Sequence, residues 1–124
     1  MEENSENLRI LLNSWTMARE MELAVGAIDK LAQISEDGEY YHRKAMLLNE
    51  TGDWEGVVES CRLAVEKGGL ERPGEVWVLQ GVALAELGRF DEAIEAFENA
   101  KRVGTDNIRR NSNAWIDYVK DRSG

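Results

Sequence analysis

Apolar and small residues recur along the chain in a fixed order. Between Trp77 and Ala100 stand Trp77, Gly81, Leu84, Gly88, Ala93, Phe97 and Ala100, at offsets of 0, 4, 7, 11, 16, 20 and 23 residues. The first three share one face of a 3.6-residue helix, Gly88 supplies a tight turn, and the last three share one face of a second helix. The small residues among them let the two backbones approach closely. The order appears upstream as Tyr41, Ala45, Leu48 and Gly52, then Val57, Cys61 and Ala64, with Trp54 sealing the hairpin after the turn. Gly52, Asp53 and Trp54 precede Gly88, Arg89 and Phe90 by 36 residues.

A less regular copy opens the chain. Ser5 is a good N-cap for a helix carrying Leu8, Leu11, Leu12 and Trp15 at helical spacing. Arg19 and Glu20 fall at the turn, and Met21, Ala24, Ile28 and Leu31 mark a second helix ending near Ile34. Trp15 to Leu48, Ala24 to Val57, Ile28 to Cys61 and Leu31 to Ala64 are each 33 residues apart. Ser35 to Gly38 is a turn-rich break. Gly68 to Pro73 reads as a C-cap and linker, with Pro73 suited to the first turn of the next helix. The last hairpin stops near Val103 and Gly104. From Asp106 onward, Ala114, Trp115, Tyr118 and Val119 form one apolar stripe, with Arg109, Arg110, Asp117 and Lys120 facing elsewhere. The expectation is an all-α chain of seven helices, three antiparallel pairs and a C-terminal cap.

The positions from Trp77 to Ala100 resemble the tetratricopeptide repeat (TPR): an aromatic, a small residue, a large one, then Gly, Ala, an aromatic and Ala. Gln80 departs from it, standing where that family usually has Leu. The resemblance implies one domain over residues 1–124, a right-handed helical solenoid. Its repeats span about 5–37, 38–73 and 74–107, with a capping helix at about 108–122. The Gly68 to Pro73 linker makes the second repeat about two residues longer than the usual 34.

Composition narrows the function classes. A chain of 124 residues, 43% hydrophobic with one proline, suits a single helical domain. Its 24 acidic and 15 basic residues give a formal charge of −9, which argues against nucleic acid and anionic lipid surfaces as partners. No apolar run approaches the roughly 20 residues that span a bilayer. Met1 to Glu6 is acidic, unlike the basic start of an export signal. One cysteine excludes an internal disulfide framework.

The residues capable of chemistry have structural explanations. Cys61 occupies the slot that Phe97 fills in the next repeat and is expected in the core, its thiol inert. His42, the single histidine, is expected to be a partly exposed helix residue outside any nucleophilic or metal constellation. Glu20 with Glu22, and Asp91 with Glu92, suit helix starts. The tryptophans and phenylalanines fit core and hairpin seals. Gly68 and Gly69 lack the strand and the Lys-Ser or Lys-Thr pair of a phosphate loop. The expectation is a non-enzymatic chain without catalytic residues, metal or cofactor.

In TPR proteins the first helix of each pair lines a concave groove that takes a partner protein or peptide. Carried over by position, that groove draws Arg9 and Asn13 from the first repeat, His42, Arg43, Met46 and Asn49 from the second, and Glu75, Val78, Leu79 and Val82 from the third. Arg9 and Arg43 are expected to orient an acidic or C-terminal feature of the ligand. Val78 and Val82, one turn apart, are expected to anchor it, unless the cap helix covers them as ordinary core. A chaperone-tail clamp of the TPR type is matched at Arg9 and Asn13 but not beyond, where Arg43, Glu75 and Leu79 replace the expected Asn, Lys and Arg.

A second resemblance spans about residues 20 to 120. Gly52, Asp53 and Trp54, the run Glu66 to Leu70, then Leu79, Gln80, Gly81 and Ala83, and finally Ala114, Trp115, Ile116, Tyr118 and Val119 look like bacterial TPR proteins associated with TonB-type energy-transduction systems. It implies a periplasmic setting, components of a TonB-type complex as partners, and a chain excised from a longer exported protein. Without that resemblance the expected setting is cytoplasmic. The alternative to a binding module is a structural or assembly module packing against further repeats or another copy, favoured by an exposed face around Leu8 and Leu11.

Overall fold

The computed structural model describes residues 21–123, and the secondary structure of the described residues is helical throughout. Six helices follow one another: α1 (Met21–Ile34), α2 (Glu39–Thr51), α3 (Trp54–Lys67), α4 (Pro73–Glu86), α5 (Phe90–Val103) and α6 (Asp106–Ser123). The expected first helix, with Arg9 and Asn13, lies outside the described residues. Each helix packs on its successor, and α4 also touches α2 and α6.

The two central hairpins close with the same device. Gly52 and Gly88 sit at φ 79° and 77°, a left-handed conformation that costs glycine nothing. At the first turn, Gly52 N–H donates to Asn49 O and Asp53 N–H to Leu48 O; at the second, Gly88 N–H donates to Ala85 O and Arg89 N–H to Leu84 O. The carbonyls left over at each helix end are thereby satisfied. The Asp53 carboxylate then caps α3 by accepting from Gly56 N–H at 3.0 Å. Pro73 occupies the first turn of α4, where its missing N–H is not needed.

Neighbouring hairpins are stitched at the linkers. Gly38 N–H donates to Gly68 O at 2.7 Å, and Glu71 N–H donates to Glu39 Oε1 at 2.7 Å. Lys67 donates from Nζ to Ala32 O while its ammonium lies 5.8 Å from the Tyr41 ring centre. These contacts fix how the α2–α3 hairpin sits on α1 and how the linker leaves for α4.

The core forms three clusters. Ala24, Ile28, Leu31 and Leu47 join α1 to α2; Ala45, Val57, Cys61, Ala64, Val76 and Ala83 join α2, α3 and α4; Leu84, Ala93, Phe97, Ile116 and Val119 join α4, α5 and α6. Phe97 is fully buried and the largest such side chain among the described residues, stabilising this end of the fold by about 1.5–3 kcal/mol through burial alone. A Cβ at Gly81 would lie 2.6 Å from Phe97 Cε1, so α4 approaches α5 as closely as it does because position 81 has no side chain.

The cap helix is rotated from the expected stripe. Its buried residues are Ser112, Ile116 and Val119, while Ala114 and Tyr118 are exposed. Trp115 takes the edge of the seam, stacked on Phe97 at 5.8 Å with an interplanar angle of 7°. Tyr118 stands edge-on to Trp115 at 5.7 Å, and its hydroxyl accepts from Arg122 Nη1 at the surface. The flat stack on Phe97 sets the rotation. It turns small Ser112 inward and leaves amphipathic Tyr118 at the water boundary.

The departure at Gln80 has a physical cost. Its Oε1 is buried and accepts no hydrogen bond among the described residues, and an orphaned buried acceptor costs about 1–3 kcal/mol. Gln80→Leu is expected to stabilise the chain by about 1 kcal/mol, whereas Gly81→Leu, driven into the Phe97 ring, is expected to destabilise it by about 1–3 kcal/mol or more. Urea midpoints of the two variants against the parent check both signs; a Gly81→Leu variant that unfolds with the parent's midpoint contradicts the α4–α5 contact.

Candidate functional site

Three helices place one face each around an open groove of about 400 Å³. From α4 come Glu75, Val78, Leu79 and Val82, at i, i+3, i+4 and i+7; from α2 come His42, Met46 and Asn49, at i, i+4 and i+7. These spacings put each set on one side of its helix. The third wall is α6, through Ile108 and Asn111.

Seven of the ten residues expected in the strip therefore meet in one cavity. Arg9 and Asn13 lie outside the described residues. Arg43 stands apart: one position on from His42, it is turned about a quarter of the way around α2, and its guanidinium sits 5.9 Å from the Tyr40 ring centre, three residues back. His42 differs from the expected partly exposed residue. It is 8% exposed, with Nδ1 4.0 Å from Glu39 Oε2.

Val78 and Val82 do both of the things expected of them as alternatives. Half-buried, they line the groove and also pack against the cluster containing Phe97, Ile116 and Val119. The cap helix flanks them without covering them. Its part in the wall does not follow from its apolar stripe, which starts at Ala114, past both lining residues. Ile108 and Asn111, one turn apart at the start of α6, were the available signal. Met46, 46% exposed, is the most accessible apolar side chain of the lining for which the structure leaves a large free surface; its flexible thioether suits an adaptable contact.

A second hollow of about 200 Å³ adjoins the groove, formed by the turn from Glu71 to Glu75, by Val103 to Thr105 and by Ile108. Glu75 and Ile108 are common to both cavities. Arg72 approaches Glu75 from this side, Nη1 to Oε1 3.8 Å. Among the described residues, no group of three or more His, Cys, Asp or Glu is placed to hold a metal ion, and no helix is long and apolar enough to cross a membrane.

The tetratricopeptide repeat family model matches residues 74–106, the α4–α5 hairpin and the loop after it. No curated protein matches the chain in sequence. Several solved structures match it in shape. The TPR2B domain of yeast Sti1, in its pHsp70 complex, superposes with a TM-score of 0.77 at 16% identity, covering 95% of this chain and 97% of that one. The TPR domain of Arabidopsis OM64 gives 0.74 at 17% identity, covering 94% of each chain. The second TPR domain of human RPAP3, in complex with the HSP70 peptide SGPTIEEVD, gives 0.73 at 16% identity, covering 94% and 98%. At these identities the likeness concerns the fold, which is the TPR-type solenoid of stacked hairpins ending in a capping helix.

Cys61 lies away from the groove. It is fully buried between α2, α3 and α4, and burial pushes its thiol from the ordinary value of 9.0 up to about 12. The folded chain thus keeps its thiol protonated where the unfolded chain has lost the proton. Stability from this residue is complete below about pH 9 and declines as pH rises from there toward about 12. The urea midpoint is expected to fall across that window and to fall less in Cys61→Ala, while a thiol reagent at pH 8 modifies the folded parent only as fast as the chain opens. Rapid labelling of the folded chain contradicts the buried placement.

Proposed function

We propose that this chain is a non-enzymatic protein-interaction module that holds a segment of a partner protein in the groove between α2, α4 and α6. The observation that carries the reading is the convergence of three helices on one open, largely apolar cavity with amides from two sides, Asn49 and Asn111, to fix a ligand's orientation. The solved Sti1 and RPAP3 domains, which hold pHsp70 and an HSP70 peptide, support a peptide-holding role for the same architecture. The chaperone-tail ligand itself does not carry over. Where the clamp pattern wants Lys and Arg, this groove presents Glu75 and Leu79.

The setting is part of the same proposal. A periplasmic place beside a TonB-type complex rests on the sequence resemblance alone, and the chain's charge of −9 suits it no better than the cytoplasm. A structural or assembly role is the second reading, favoured by Leu23 and Ile34 on α1, 49% and 59% exposed.

Met46→Glu tests the groove without disturbing the core, because Met46 is already largely exposed; Arg43→Glu, outside the cavity, is the control. Partners captured from separate periplasmic and cytoplasmic bacterial fractions by the parent and by Arg43→Glu are expected to be lost, or weakened about tenfold or more, with Met46→Glu. If folded Met46→Glu retains every partner, the groove is not the binding surface. A second copy of the chain as the captured species supports the assembly role instead.

A further inference from the structure

Among the described residues, the groove carries a different charge from the one its sequence suggests, because Arg43 does not line it. Among the described residues no lysine or arginine lines it, and its one carboxylate is Glu75; the remaining polar groups are His42, Asn49 and Asn111. Arg43 is drawn off to the Tyr40 ring. The partner of Glu75, Arg72, approaches from the adjoining hollow at 3.8 Å, beyond hydrogen-bond reach. Both side chains of that pair are well exposed, 73% and 45%, and such pairs hold little in water. The Glu75 carboxylate therefore keeps its capacity to accept, at the rim of the groove and one helical turn from Val78 and Leu79.

Resting on the groove reading above, we propose that the occupant is a segment of a partner protein that combines apolar side chains with a lysine or arginine. The apolar side chains seat on Val78, Val82 and Met46, and the cation pairs with Glu75. An acidic tail placed here would meet the Glu75 carboxylate with no lysine or arginine among the described lining residues to offset it, and like charges at close range count against binding. The formal charge of −9 acts in the same direction at long range, speeding the approach of a cationic segment and slowing that of an acidic one. Met46 adapts to anchors of different shape, so apolar content and charge, more than one fixed sequence, define the ligand.

The probe is a display library of short randomised peptides selected on the full chain. Recovered peptides are then titrated by fluorescence anisotropy against the parent, Glu75→Gln, Glu75→Arg and Met46→Glu, each first shown to be folded by circular dichroism. Glu75→Gln keeps the size of the side chain and guards against effects of reversing charge in the first turn of α4. The expected peptides carry lysine or arginine beside apolar residues, bind less tightly as salt rises, weaken several-fold with Glu75→Gln and about tenfold or more with Glu75→Arg. Net-acidic peptides, or binding that Glu75→Arg leaves unchanged while Met46→Glu abolishes it, overturns the cationic ligand and leaves the groove standing. If no peptide is recovered, or Met46→Glu binds as the parent does, both the ligand and the groove reading fall.

Discussion

The contact between Gly81 and the Phe97 ring sets the geometry of this molecule. Among the described helices, α4 is the one that touches four others, α2, α3, α5 and α6, and its distance from α5 is fixed where the ring lies against a backbone with no side chain in the way. Trp115 then stacks parallel to the same ring, its centre 5.8 Å away. Phe97 thus determines at once how deep α4 sits and how the cap helix is rotated. Interiors packed to crystal-like density transmit such a constraint instead of absorbing it.

The groove is a consequence of that placement. Once one side of α4 is pressed on Phe97 and another on Val57 and Cys61 across the hairpin boundary, the face left over carries Glu75, Val78, Leu79 and Val82. Val78 and Val82 belong to both surfaces. Both pack against the α4–α5–α6 cluster and both line the cavity, so packing in the core restrains the anchors before any ligand arrives. Preorganisation of this kind lowers the entropy cost of association.

Periodicity made most of this legible. Helix ends at Ile34, Thr51, Lys67 and Val103, the glycine turns at positions 52 and 88, and Pro73 in a first turn all follow from local spacing and local backbone preference. What the spacing missed depends on contacts between distant segments. His42 is buried beside the groove that α2 shares with α4 and α6, and the rotation of α6 comes from its stack on Phe97. A hydrophobicity pattern weights large aromatics, so Tyr118 looked like core and Ser112 did not. In the fold Tyr118 has a hydroxyl to satisfy at the surface, while Ser112 is small enough to be buried where Ile116 and Val119 close on α4 and α5.

Glu75 joins the local and the distant levels. It stands in the first turn of α4, where the helix dipole favours a negative side chain, so its presence needs no ligand to explain it. Yet the same turn opens onto the groove, and a helix N-terminus left without an acidic side chain would favour an anionic ligand. Glu75 offsets that tendency with its own charge. One residue thereby stabilises the start of α4 and gives the cavity its polarity, and the apolar anchors one and two turns further along α4 take their electrostatic context from it.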